Sequence, residues 1–266
     1  MSIPKIIHYC WFGGNQLPEE TIQYMESWKK FCPDFKIKEW NENNFDIHCC
    51  KFVEEAYTAK KWAFVSDYVR FYAMYKEGGV YIETDCEVVK PIDELLEYGA
   101  FFGRAGDDMT LSMCGTEKGH PVAAAFLKRY NSKRFINQDG QFDMTAINKE
   151  LYNILCEQFG LEDRDEFQVL DGNTAIYPEE YFFSYDYETG LFHKSPKLYV
   201  IHYGEGSWLD EITKRQLKCQ HEAVKKFGAR FGVPMGKLKF YFDTQGVVGT
   251  VKIVVGAIAR RIFRKG

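Results

Sequence analysis

The stretch "EEAYTAKKWAFVSDYVRFYAMYKEGGVYIETDCEVV", residues 54–89, decides the fold. Its first part repeats apolar residues at helical spacing, with acids at the start and Gly78-Gly79 at the end, predicting a helix that stops near Glu77. The glycine pair lets the chain turn into "VYIETDCEVV", which alternates like a strand. Upstream, "KIIHYCWF" (5–12) reads as a buried strand closed by Gly13-Gly14. "LPEETIQYMESWKKF" (17–31) reads as a helix, and "FKIKEW" (35–40) as a half-buried strand. Strand, helix, strand, helix, strand is the alternation of an α/β protein with a parallel sheet and right-handed crossovers. Such sheets bind ligands at the carboxyl ends of their strands.

The pattern loosens beyond residue 100. "AFFGR" (100–104), "EFQVL" (166–170) and "KLYVIHY" (197–203) read as strands. "HPVAAAFLKRY" (120–130), "MTAINKELYNILCEQFG" (144–160) and the charged run 210–232 read as helices. "GRAGDDMTLSMCG" (103–115) follows a strand and reads as a loop able to line the acceptor side, with Asp107 and Asp108 as solvated loop acids.

The alternation of 80–89 puts Tyr81, Glu83, Asp85 and Glu87 on one face. Acids two apart on a strand lie about 7 Å from each other. They repel by only ~0.6 kcal/mol in water and ~2.4 kcal/mol at an effective dielectric of ~20. Spacing alone therefore leaves a solvated face and a cation site both open. Position favours the cation, because these acids stand where a doubly wound sheet opens its ligand crevice. Carboxylates there suit a hard divalent ion that also takes phosphate oxygens, and a nucleoside diphosphate sugar carries such a leaving group. On the preceding helix Asp67 and Arg70 are three apart, hence on one face, among large aromatics. They read either as an internal ion pair or as a sugar-contacting pair.

"AFVSDYVRFYAMYKEGGVYIETDCEVV" resembles the central block of glycosyltransferase family 32, S-D-x-x-R-x-x-x-L-x-x-x-G-G-x-Y-x-D-x-D. It is more distantly similar to the catalytic domains of the large clostridial glucosylating toxins. "IPKIIHYCWFGG" is similar to the family's first strand, and "IHYGEGSW" (201–208) to its late His…Ser-Trp motif. The resemblance implies a GT-A fold: a Rossmann-like, mostly parallel central sheet flanked by helices, here with a helical, basic C-terminal tail. It also implies metal-dependent transfer with retention of configuration, using Mn²⁺ or Mg²⁺ and a nucleoside diphosphate sugar, UDP-sugar favoured over GDP-sugar. Position by position, Asp85 matches the metal-contacting acid and Asp67 and Arg70 the sugar-binding pair. Tyr81 matches the tyrosine before the motif, and Trp11 the tryptophan that stacks on the base. Glu83 stands where the family has its first Asp, a departure of one methylene, and Met74 stands where it has leucine. Ser207 and Trp208 match the pair closing over metal and diphosphate, and His202 or Glu205 completes the metal shell. His8 reads as structural.

The formal net charge of −4 argues against general nucleic-acid binding. Eight scattered cysteines without a C-x-x-C pair read as reduced thiols of a cytoplasmic protein, and "MSIPKIIHYCW" carries no leader pattern. The 17% aromatic content fits a large core or a site that stacks flat ligands. Residues 1–245 are expected to form one GT-A domain, and 246–266 an apolar-basic tail without an acid. That tail reads equally as a helix packed on its own core or as a segment touching the inner face of the cell membrane. The expected reaction is transfer to a glycan acceptor, free or lipid-linked, in surface or capsular polysaccharide synthesis. Protein side-chain glycosylation and non-catalytic nucleotide-sugar or carbohydrate binding are the alternatives.

Overall fold

The computed structural model describes residues 3–204, 206 and 209–263; Glu205, Ser207 and Trp208 lie outside them. The chain divides into two compact units, one built from 1–184 and 193–208, the other from 185–192 and 209–266.

In chain order the first unit runs β1 (Ile6–Cys10), α1 (Glu19–Phe31), β2 (Lys36–Trp40), α2 (Lys51–Thr58), α3 (Trp62–Glu77), β3 (Gly79–Ile82) and β4 (Cys86–Val88). It continues through β5 (Ala100–Ala105), β6 (Asp108–Thr116), α4 (Pro121–Asn131), α5 (Ile147–Phe159), β7 (Gln168–Leu170) and β8 (Thr174–Tyr177). Seven strands form one sheet in the order β2-β1-β3-β6-β5-β8-β7. β1 pairs in parallel with β2 and β3, and β5 with β8, whereas β6 and β7 pair antiparallel with their neighbours. Five of the seven strands thus run one way. This is the α/β, mostly parallel sheet flanked by helices that the sequence led us to expect.

Two apolar cores cover the two sheet faces. Alternate residues of β3 divide between them, Tyr81 towards the helices α2–α5 and Val80 and Ile82 towards α1. From β1 the chain crosses through α1 to β2 on one side, and later through α2 and α3 to β3 on the other. The carboxyl ends of β1 and β3 therefore flank the point where the winding reverses, the usual place for a ligand crevice.

The turn from α3 into β3 admits only glycine. Gly78 and Gly79 have φ of 70° and 117°, and a Cβ on Gly79 would lie 2.6 Å from the Ile6 carbonyl oxygen. Beneath it, His8 is fully buried, accepts from Trp40 Nε1 at 3.0 Å on Nδ1 and meets the Gly78 carbonyl at 2.8 Å through Nε2. A neutral imidazole with its proton on Nε2 satisfies both contacts. Burial lowers its pKa, against the opposing Gly78 bond. His8 is structural, as expected.

Three local readings need correction. The helix read at 54–77 is two helices, α2 and α3. Lys60 adopts φ 57°, and Lys61 N–H donates to Ala56 O, the long bond of a left-handed helix stop normally made by glycine. The segment 103–115, read as a loop, contains most of β6, which returns antiparallel on β5. The strand read across 80–89 breaks after Ile82: Cys86 N–H donates to Glu83 O at 3.1 Å, closing a turn. β4 then pairs with β11 (below) outside the main sheet.

The second unit contains the hairpin strands β9 (Tyr185–Asp186) and β10 (Leu191–Phe192). The first unit closes with β11 (Val200–His202), antiparallel to β4, and α6 (Glu211–Phe263) completes the second. α6 is interrupted at Gly228 (φ 72°) and Gly246 (φ 66°). Across the first break it folds back on itself, since a Cβ on Gly232 or Gly236 would stand 2.3 Å from the Val224 or Gln220 Cα.

Candidate active site

The turn after β3 presents Glu83 and Asp85 at the sheet's carboxyl edge, and α3 brings Asp67 and Arg70 over it. Arg70 is 4% exposed and spends its guanidinium on protein groups. Nη2 donates to Asp67 Oδ1 at 3.0 Å, and Nη1 to Glu83 Oε1 at 3.0 Å and to Leu111 O at 3.3 Å. The guanidinium carbon lies 4.6 Å from the centre of the Tyr81 ring. The Arg70 Nε is buried and makes no hydrogen bond to the described residues. Burial opposes its charge, yet the Tyr81, Glu83 and Asp67 groups around it keep it firmly protonated. Asp67 is itself buried, and that burial raises its pKa to about 7 against the pull of Arg70, with Glu83 adding to the rise.

A third element completes the cluster. Because β11 runs antiparallel to β4 with His202 opposite Cys86, the imidazole reaches the acidic turn from the far end of the chain. His202 Nε2 lies 3.2 Å from both Glu83 Oε2 and Asp85 Oδ2. Its backbone N–H donates to Ser184 Oγ at 2.7 Å, and Tyr203 N–H donates to Asp85 O at 3.0 Å. Burial pulls the His202 pKa down, but the Asp85 hydrogen bond and the Glu83 and Asp85 charges outweigh it and raise the pKa. Glu87, read as part of the same acidic face, instead accepts from the Tyr203 hydroxyl at 2.7 Å.

Glu83, Asp85, Cys86 and His202 place ligand atoms within 4.8 Å of one another, a spacing that fits one cation. The donor set decides its kind. Two carboxylates and an imidazole suit Mn²⁺, and with fewer nitrogens Mg²⁺. The Cys86 thiol, fully buried with its pKa pushed far up by burial and by the two acids, is a poor ligand for either. Trp28 Nε1 holds the Cys86 carbonyl at 2.8 Å, anchoring the turn from below.

Of the residues singled out in the sequence, the structure gathers Asp67, Arg70, Tyr81, Glu83, Asp85 and His202. Trp11 follows β1 at the same sheet edge, its indole donating to Asn15 O at 2.7 Å. Glu205, Ser207 and Trp208 fall outside the described residues. Ser184, Leu111 and Cys86 were not foreseen; Leu111 acts through its backbone carbonyl, which leaves no mark on residue type, and Ser184 through a hydroxyl brought in from a distant segment.

Strand ends that flank a winding reversal, with clustered acids beside a buried arginine, make this an α/β protein with a candidate cation site at the sheet edge. One segment of the chain is similar to a known family. Residues 18–102 match the family described as glycosyltransferase sugar-binding region containing DXD motif. They include Asp67, Arg70, Glu83 and Asp85. The chain is 27% identical over 129 residues to inositol phosphoceramide mannosyltransferase 3 of Schizosaccharomyces pombe, covering 45% of this chain and 35% of that one. It is 26% identical over 157 residues to a glycosyltransferase of Acanthamoeba polyphaga mimivirus, L373, covering 52% and 61%. The chain thus spans about a third to three-fifths of the length of these curated relatives. Among solved structures, the PaToxG glycosyltransferase aligns with 59% of this chain and 70% of its own, at 16% identity and a TM-score of 0.46.

Proposed function

We propose that this protein is a metal-dependent, retaining glycosyltransferase that moves one sugar from a nucleoside diphosphate sugar to a glycan hydroxyl. The observation that carries the reading is the meeting of Glu83, Asp85 and His202 on one point beside the Asp67–Arg70 pair. Asp85, Glu83 and His202 would hold Mn²⁺ or Mg²⁺, which when bound neutralises the departing diphosphate. Arg70 is a positioning residue: buried, it fixes one oxygen of Asp67 and one of Glu83. Asp67, so held, keeps an oxygen for the hydroxyls of the transferred sugar and sets its orientation. Trp11, at the end of β1, supplies the aromatic surface for the base, and Ser207 and Trp208 close over the diphosphate.

The finer expectations follow the resemblance. They are a UDP-sugar, with GDP-sugar as second choice, and surface or capsular polysaccharide as product. The enzyme would work in the cytoplasm, with a free or lipid-linked acceptor at the inner membrane face. The mannosyltransferase relative named above makes mannose a sugar to test alongside glucose and galactose. Donor hydrolysis with Mn²⁺ tests the reading: turnover is expected in the wild type and none in Asp85→Ala. Donor binding without turnover in both proteins would favour the non-catalytic alternative that the Glu83 departure keeps open.

A further inference from the structure

The second unit separates charge from the rest of the chain. Residues 209–266 hold thirteen Lys and Arg against four Asp and Glu, a formal +9, in a chain whose total is −4. Its helices also expose large apolar side chains in a fixed pattern. Phe231, Met235, Leu238 and Phe242 are 60%, 44%, 40% and 42% exposed. At roughly 100° per residue they fall within an arc of about 60°. Lys239 flanks that stripe on one side and Arg230 on the other. At the fold-back around Gly228 a further phenylalanine, Phe227, is 50% exposed. Exposed Lys225 and Lys226 precede Phe227 directly, and exposed Arg230 precedes Phe231, its guanidinium 5.6 Å from that ring's centre.

We infer that this helical fold-back is a docking surface for a lipid bilayer bearing anionic headgroups. Phenylalanines at a tip flanked by cations match the two layers of such a surface: rings enter the acyl boundary while ammonium and guanidinium groups stay among phosphates. A second copy of the chain is the poorer occupant, because an isologous contact would bring two units of formal charge +7 together, the +9 of 209–266 less Asp186 and Glu188. No helix among the described residues is long and apolar enough to cross a membrane, so the unit would lie on the bilayer. This surface lies on α6, outside the matched sugar-binding segment, and goes beyond the proposed transferase reading.

The test is flotation of the full-length protein with phosphatidylcholine vesicles, with and without phosphatidylglycerol, in the absence of metal, donor and acceptor. Wild type is expected to float with the anionic vesicles and to be released by high salt. Phe227→Ser/Phe231→Ser and Lys225→Glu/Lys226→Glu/Arg230→Glu, all at exposed positions, should each weaken partitioning about tenfold or more. Asp85→Asn should float like the wild type, so the outcome is independent of catalysis. Three results would overturn the inference: no wild-type flotation, equal flotation of the tip variants, or a wild-type dimer that the serine variant converts to a monomer without any vesicle binding.

Discussion

Glu83 bridges two partners at once: Oε1 accepts from Arg70 Nη1 at 3.0 Å while Oε2 lies 3.2 Å from His202 Nε2. The methylene that distinguishes it from the aspartate of the resembling family supplies that reach. Glu83→Asp, which restores the family's motif, is therefore expected to lose one of the two contacts. Apparent Mn²⁺ affinity should fall about tenfold or more, as when a ligand loses its orienting partner. Calorimetric titration of the two proteins checks it; equal or tighter binding in the variant would refute the bridging role.

At pH 8, where Asp67 is ionised, Arg70 neutralises it alongside Glu83 inside the protein, so removal of the guanidinium strands them. Arg70→Met should destabilise the fold by about 3–5 kcal/mol in urea unfolding. Adding Asp67→Asn should recover part of the loss. If the double variant is no more stable than the single one, the guanidinium is not compensating Asp67.

The raised pKa of Asp67 has a definite sign. The folded protein holds this proton up to about pH 7, whereas the unfolded chain releases it near the ordinary carboxylate value. Its contribution is present in full below the unfolded pKa and is lost as pH rises through about 7. The slope is at most about 1.4 kcal/mol per pH unit. The difference in stability between wild type and Asp67→Asn should change across that window and be flat above it. Urea midpoints at successive pH values measure this, and a constant difference would contradict it.

Two glycines with positive φ should respond very differently to alanine. Gly79→Ala meets backbone at 2.6 Å in the α3–β3 turn, while Gly160→Ala, at the end of α5, has nothing within 4 Å. Gly160→Ala should cost about 1 kcal/mol, from conformation alone, and Gly79→Ala clearly more, about 2 kcal/mol or above. Denaturant melts rank them, and the reverse order would mean that the turn yields easily.

The parallel half of the sheet was legible because its alternating strands and helices are local, and each carries its own hydrophobic period. What escaped was non-local or disguised. Lys60 ends α2 in a conformation usually advertised by glycine, so the sequence looked continuous. Cys86 was assigned to the face opposite the acids because the alternation was carried through 83–85, where the chain actually turns. β8, four residues long, is defined by its partners more than by its own pattern, and β6, nine residues long, is buried along nearly its whole length and so shows no alternation. The acids and His202 were both identifiable, but their meeting depends on β4 pairing with β11, a contact between distant segments that no local period records. The choice between His202 and Glu205 stayed open in the sequence for the same reason.

The most direct measurement is titration of Mn²⁺ into the wild type and Asp85→Asn, each with a nucleoside diphosphate present. Stoichiometric binding in the wild type and its loss in the variant is the predicted result. Identical isotherms for the two proteins, or no heat from the wild type with either uridine or guanosine diphosphate, would contradict a metal centre at this turn.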